Sequence, residues 1–180
     1  MKKILAIVGS LRKDSFNRQL ALAAQQAVGD RAEFTLLDYT EVPFFNQDLE
    51  HPAPEAVTRV RAAVREADGI WIFSPEYNHF FPGVLKNLLD WLSRPVSAKE
   101  PQVLAGKKLA LSGITPGISG TGLAQDHLVT LLSFLNMDIM NGVRLTIPNG
   151  MQQLKGGKLV LEASAPFLQR QAEAFLKYLE

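Results

Sequence analysis

Residues 10 to 17 gather two hydroxyls (Ser10, Ser15), a guanidinium (Arg12) and a side-chain amide (Asn17). Hydroxyl and amide donors beside a planar cation suit a phosphate monoester, which accepts many hydrogen bonds and carries negative charge. Donors of this kind work only if the chain holds them still, and the flanking residues supply the means. Ile4-Leu5-Ala6-Ile7-Val8 is an unbroken apolar run, which reads as a strand buried on both faces. Phe16, Leu20, Ala23, Ala24 and Ala27 recur at helical spacing, so a helix begins near Ser15. Between strand and helix the turn faces the free N–H groups of a helix N-terminus, which favour an anion. Helix capping by Asp14 or Ser15 accounts for neither Arg12 nor the pairing of Ser10 with Asn17. A phosphate site is therefore expected here.

The same stretch excludes two nucleotide-binding loops. It lacks the Gly-Lys-Ser/Thr ending of a nucleoside-triphosphate loop, and Gly9 alone cannot make the Gly-x-Gly-x-x-Gly dinucleotide turn. A hydroxyl-rich loop with side chains in place of glycines is the device by which flavodoxin-like proteins hold the phosphate of FMN. A second cluster, Ser74-Pro75-Glu76-Tyr77-Asn78-His79, follows the apolar run Gly69 to Phe73. Pro75 stiffens it, Tyr77 offers a flat face, and the backbone of Glu76 to Asn78 can match the polar edge of a flavin ring. An ordinary β-to-α turn would use Pro and Asn as well.

Strand and helix signals alternate along the whole chain, the pattern of a parallel sheet covered on both faces. Further strands are expected at Glu33 to Asp38, Gly69 to Phe73, Lys108 to Leu111 and within Ile139 to Ile147. Helices are expected after Pro54, after the second cluster, around Leu128 to Leu135, and after Pro166. Lys155-Gly156-Gly157-Lys158 reads as an exposed turn. Residues 39 to 53 form a connection too long for a simple turn, so it covers a site or packs on a partner. In an open parallel sheet, ligands sit beyond the carboxyl ends of the strands. The phosphate turn, the Pro75 loop and Thr115-Pro116-Gly117 therefore meet at one mouth.

Composition narrows the function. The 180 residues suit one domain spanning 1–180, and a content of 47% hydrophobic and 21% charged residues is ordinary for a globular protein. A net charge of +1 implies neither nucleic acid nor an anionic membrane as partner. With no cysteine there is no thiol nucleophile and no cysteine-held metal. The N-terminal apolar run is too short for a signal peptide or a membrane span, so the cytoplasm is the expected compartment. The histidines (His51, His79, His127) are scattered, and only His79 is expected to border the mouth.

Gly9-Ser10-Leu11-Arg12 with Ser15-Phe16-Asn17, then Pro75-Glu76-Tyr77-Asn78, Pro82-Gly83-Val84-Leu85-Lys86-Asn87 and Asp90-Trp91, resembles the NADPH-dependent FMN reductase family. That family includes soluble quinone and chromate reductases. The likeness extends to Asn46-Gln47-Asp48-Leu49 and to Gln125-x-His127-Leu128. It implies a flavodoxin-like α/β sandwich with a five-stranded parallel sheet in the order 2-1-3-4-5, bound FMN, and a homodimer or homotetramer. By position, Ser10, Arg12, Ser15, Phe16 and Asn17 would hold the phosphate. Pro75, Glu76, Tyr77 and Asn78 would line the flavin ring, with Thr115 touching it from the third loop. Hydride would pass from NADPH or NADH through FMN to a small-molecule acceptor such as a quinone, with no catalytic side chain required. After strand four the chain departs from the family. Ser119-Gly120-Thr121-Gly122-Leu123 and Val129 stand where relatives often carry a Gly-Gly-Ala-Arg run and a further Arg. Second-substrate and tetramer contacts through those arginines are not expected to carry over.

Three rivals share the fold. A non-enzymatic electron carrier docks through an acidic surface, against which a pI near 8.0 argues. A phosphoacceptor domain needs acids where Ser74-Pro75 and Gly9-Ser10 stand. An FMN-free scaffold would keep the fold for interactions only, and a visible spectrum of the purified protein separates it from the enzyme. Finally, Val84, Leu88 and Trp91 widen the apolar arc of their helix beyond what one sheet requires. That flank is expected to meet a second subunit, together with Phe44 and Phe45, the alternative being that it packs against a neighbouring helix of its own chain.

Overall fold

Strands and helices alternate in the computed structural model, which describes residues 1–180. The elements are β1 (Lys3–Val8), α1 (Phe16–Val28), β2 (Glu33–Leu36), α2 (Glu55–Glu66), β3 (Gly69–Phe73), α3 (Gly83–Leu92), β4 (Lys108–Ile114), α4 (Gly122–Phe134), β5 (Asp138–Ile139), β6 (Leu145–Ile147), β7 (Leu154–Lys155), β8 (Lys158–Leu159) and α5 (Ala165–Tyr178). The main sheet is parallel and runs β2-β1-β3-β4-β5, with β6 also paired to β4. Because side chains alternate along a strand, each central strand feeds two cores. Leu5, Ile7, Ile70, Ile72, Leu109 and Leu111 pack with residues of α2, α3 and α4. Ile4, Ala6, Val8, Trp71, Phe73 and Ala110 pack with residues of α1 and α5. This is the flavodoxin-like sandwich that the family resemblance implied.

The fifth strand differs from expectation, being split in two. Leu109 pairs with Ile139 and Ser112 pairs with Leu145, so the edge strand loops out between positions that β4 spans directly. A short 3-10 turn, Asn141–Val143, fills the detour. The buried Gln171 amide repairs the ladder there, donating to Leu111 O at 2.8 Å and to Val143 O at 2.7 Å. Its carbonyl accepts from the Ser112 hydroxyl at 2.6 Å, and Ser112 in turn accepts from Trp71 Nε1 at 2.8 Å. A glutamine on the inward face of α5 thus does the work of missing strand pairing.

β4 also runs three residues further than the apolar run Lys108 to Leu111 suggested, through Gly113. That glycine does not break the strand. A Cβ there would lie 2.2 Å from Thr121 Oγ1 and 2.4 Å from the Ser74 carbonyl, so its bareness lets two loops close over the strand end. The turn at Lys155 to Lys158 is the tip of the β7–β8 hairpin, with Gly156 and Gly157 at φ of 60° and 78°.

The expected interface flank on α3 is corrected. Leu88 and Trp91 are fully buried within one chain, Leu88 in the core and Trp91 where the 39–53 connection folds back over it. Trp91 Nε1 and Asn87 Nδ2 both donate to the Pro43 carbonyl, at 2.8 and 2.9 Å, while Asn87 Oδ1 accepts from Phe45 N–H at 2.7 Å. The Phe45 ring meets Trp91 edge-on at 5.0 Å. Farther along, Arg94 of the segment after α3 pairs with Glu50. The surplus apolar arc of α3 is the seat of this connection.

Candidate active site

Three loops rise from the carboxyl ends of β1, β3 and β4. At the first, Gly9 N–H still donates to Phe73 O at 2.8 Å, and the buried Tyr39 hydroxyl donates to Val8 O at 2.6 Å. The turn is therefore pinned at its root. Ser15 takes the N-cap position of α1 with extended backbone, yet its side chain makes no capping bond, and the first helical turn carries no acidic residue. The leading N–H groups of α1 thus remain available to a ligand. Arg12 is exposed, its guanidinium carbon 5.5 Å from the centre of the Phe16 ring.

Asn17 is placed differently from what its neighbours suggested. Its side-chain amide donates to Ile114 O and accepts from Ile114 N–H, both at 3.0 Å, with only 2% of the residue exposed. It fastens α1 to the end of β4. One amide N–H and the amide oxygen are thus engaged with the fold, while Asn17 also lines the cleft and its backbone N–H lies in the first turn of α1.

The second loop is a tight hairpin turn. Tyr77 N–H donates to Phe80 O at 2.8 Å and Phe80 N–H donates back at 3.0 Å. Asn78 and His79 between them hold φ of 53° and 62°. A two-residue turn with both central φ positive needs residues that tolerate the left-handed region, which Asn and His do better than most. This turn lifts the Tyr77 hydroxyl to 3.4 Å from Ser10 Oγ, so the first two loops meet.

The Glu76 side chain, not only its backbone, shapes the site. Its carboxylate, 5% exposed, accepts from Ala124 N–H at 3.1 Å and lies 3.5 Å from His79 Nδ1. Ala124 sits in the first turn of α4, whose own N-cap, Thr121, makes no side-chain cap bond. Glu76 therefore caps α4 from another loop and ties the second loop to the third. Burial alone would raise its pKa, but the Ala124 N–H, Ser119 and His79 outweigh it and hold the carboxyl below its ordinary value. Sequence reasoning missed this role because no local pattern links Glu76 to a helix 48 residues away.

Ser10, Arg12, Ser15, Phe16, Asn17, Pro75, Glu76, Tyr77 and Thr115 line one cleft of about 150 Å³, with Ile114 and Pro116. Asn78, also expected there, stands exposed at the turn tip outside it. The cleft combines uncapped N–H groups, hydroxyls and a cation at one end with a flat aromatic loop at the other. No group of three or more His, Cys, Asp or Glu side chains is arranged to hold a metal.

Residues 2–152 match the model of the NADPH-dependent FMN reductase family. This chain belongs to that family. It is 38% identical over 168 residues to a 2-hydroxy-1,4-benzoquinone reductase of a Burkholderia species, covering 93% of this chain and 90% of the relative. An NAD(P)H-dependent FMN reductase of Pseudomonas aeruginosa is 35% identical over 177 residues, covering 96% of this chain and 92% of that one. Among solved structures, the flavoenzyme NAD(P)H:acceptor oxidoreductase FerB of Paracoccus denitrificans superposes with a TM-score of 0.89 at 34% identity, covering 99% of this chain and 97% of that one. As a member of the family the chain is an FMN-dependent, NAD(P)H-consuming oxidoreductase. Its cleft suits the cofactor on its own terms. The N-terminus of α1, free of side-chain caps and acidic residues, opens on it beside Ser10, Ser15 and Arg12, a donor set that fits a phosphate, and Tyr77 lines the same cleft.

Proposed function

We propose that this chain, acting as one FMN-binding domain over residues 1–180, reduces quinones or similarly flat acceptors at the expense of NAD(P)H in the cytoplasm. The uncapped, acid-free N-terminus of α1, opening between Ser10, Arg12 and Ser15, carries the reading. Those hydroxyls, the Arg12 guanidinium and the N–H groups of Phe16 and Asn17 hold the phosphate of FMN. The Phe16 ring backs Arg12, and the Asn17 side chain keeps α1 aligned with β4. The backbone of Pro75 to Tyr77 supports the flavin ring, Asn78 forms the turn that aims Tyr77, and Thr115 closes the far side. When bound, FMN supplies a two-electron carrier between a nicotinamide and a quinone. The protein's part is to hold it with one face open, and no side-chain acid or nucleophile is required. The quinone reductases among its relatives support the choice of acceptor class.

Assembly follows from a second observation. No helix is long and apolar enough to cross a membrane. Yet Leu123 and Phe134 lie exposed along one face of α4, with Phe44 and Ile118 exposed elsewhere. A homodimer or homotetramer that covers the α4 face is our reading of it.

A visible spectrum tests the function. Purified protein should be yellow or take up FMN, bleach anaerobically with NADPH or NADH, and recover its colour when a benzoquinone is added. The flavin released on denaturation should be FMN. Protein that takes up no flavin, or yields mostly FAD, would overturn the assignment of the cleft.

A further inference from the structure

Larger cavities than the flavin cleft lie on the other side of the phosphate turn. One, of about 350 Å³, opens between the turn and the end of β2, and it shares Ser10 and Arg12 with the flavin cleft. A second of the same volume adjoins it, sharing Leu11, Tyr39 and Thr40. Together they make one groove that starts at the wall of the flavin cleft and ends under the 39–53 connection.

The groove has two chemically distinct lobes. Arg12, Lys13 and Arg18 border the near lobe. None of the three forms a salt bridge, whereas other cations of this surface do. One carboxylate, Asp38, faces the same lobe, but it is already engaged. It accepts from the Thr40 N–H at 3.0 Å and from the Thr40 hydroxyl at 2.7 Å. Glu41, at the border of the far lobe, is paired with Arg59 at 3.3 Å. Asp38 also acts electrostatically on Arg18, but three cations against one carboxylate leave the near lobe net positive. The far lobe is walled by Leu11, Val42, Pro43, Phe44 and Val84, and the Phe44 ring is 87% exposed. An exposed aromatic ring beside a shallow apolar wall is a seat for a flat heterocycle.

A single phosphate does not require this much charge, since the N–H groups of α1 with Ser10, Ser15 and Arg12 already face the flavin cleft. We propose that the groove binds the adenosine diphosphate half of the nicotinamide donor. The pyrophosphate lies against Lys13 and Arg18, and the adenine lies in the lobe of Leu11, Pro43 and Phe44. The proposal rests on the reductase reading, because it is the nicotinamide over the flavin loop that leads the rest of the donor past Ser10 and Arg12. It gives Lys13 and Arg18 a role separate from holding FMN.

ADP serves as the probe, since it carries the adenine and pyrophosphate without the reactive ring. Titrated calorimetrically into the FMN-loaded protein, it should bind in the micromolar range. Lys13→Gln and Arg18→Gln should each weaken it about tenfold, the loss of one charge-assisted contact. Both side chains are exposed and unpaired, so folding should be unaffected. The Michaelis constant for NADH and NADPH should rise in parallel while FMN content stays at the wild-type level. Absence of ADP binding, or ADP binding indifferent to both substitutions, would overturn the proposal. So would displacement of FMN by ADP, or FMN loss in the two variants, either of which would assign these cations to the flavin phosphate. A failure of the reductase reading is separately visible, as wild-type protein that takes up no FMN. In that event ADP titration of the flavin-free chain still decides the groove.

Discussion

Arg12 and Glu76 carry opposite charges into one cleft and do different work there. Arg12 is exposed and unpaired, so Arg12→Ala should barely alter stability. If Arg12 holds the FMN phosphate as proposed, losing that contact should cost about 1.5–3 kcal/mol, roughly tenfold to a hundredfold in FMN affinity. Fluorescence titration of the flavin-free protein with FMN checks this, and unchanged affinity would mean that Arg12 belongs wholly to the neighbouring groove. Glu76 is buried and fully engaged, and its removal should act through structure. Glu76→Ala leaves the first turn of α4 without its cap, at a cost of about 1–2 kcal/mol, and frees the second loop from the third. The sign of its pH dependence follows from the lowered pKa. A carboxyl held below its ordinary 4.5 contributes stability that is fully present above that value and lost as pH falls through the folded-state value. Thermal midpoints of wild type should therefore drop on acidification below about pH 4.5 more steeply than those of Glu76→Gln. Parallel curves would show that Glu76 bears no net ionisation-linked stability.

Among the elements, α3 shows how an amphipathic pattern acquires meaning only from its neighbours. Its wide apolar arc is divided between the sheet and a connection of low regularity, and Trp91 is the hinge pin of that second contact. Trp91→Glu would place an uncompensated charge in a site that is fully buried. A loss of about 3–5 kcal/mol is expected, a large part of the stability of an ordinary domain. Urea denaturation should show a much lower midpoint, with Trp91→Phe recovering most of the apolar packing. A Trp91→Glu protein with an unchanged midpoint and half the mass would instead return this flank to an intersubunit role.

At the scale of the whole molecule, α4 presents two exposed apolar side chains on one face. Leu123 and Phe134 lie in line there with the exposed His127 and Thr130 between them, and Phe134 is 82% exposed. Phe134→Glu should leave the fold intact, because that residue is largely exposed, and should convert the proposed assembly to monomers in light scattering. A wild-type protein that is monomeric at micromolar concentration would end the oligomer reading. A Phe134→Glu protein of unchanged mass would move the interface elsewhere.

Local pattern by itself determined the alternation of strands and helices, the central position of β1 and β3, and the turn at which α1 presents its N-terminus. Each follows from periodicity or from residue chemistry within about ten neighbouring positions. The family and its cofactor were legible for the same reason, since each motif is contiguous at a strand-to-helix junction. What tertiary structure decided was every role that joins distant segments. Asn17 stands beside Ser15 in sequence, yet its amide also ties α1 to Ile114, 97 residues away. Gly113 looks like a break, yet it is a point of close approach between Thr121 and Ser74. Trp91 looks like an interface residue until the Pro43 carbonyl and the Phe45 ring cover it. A side chain's type constrains the partners it can take, but which partner it meets depends on how the layers stack, and no local spacing records that.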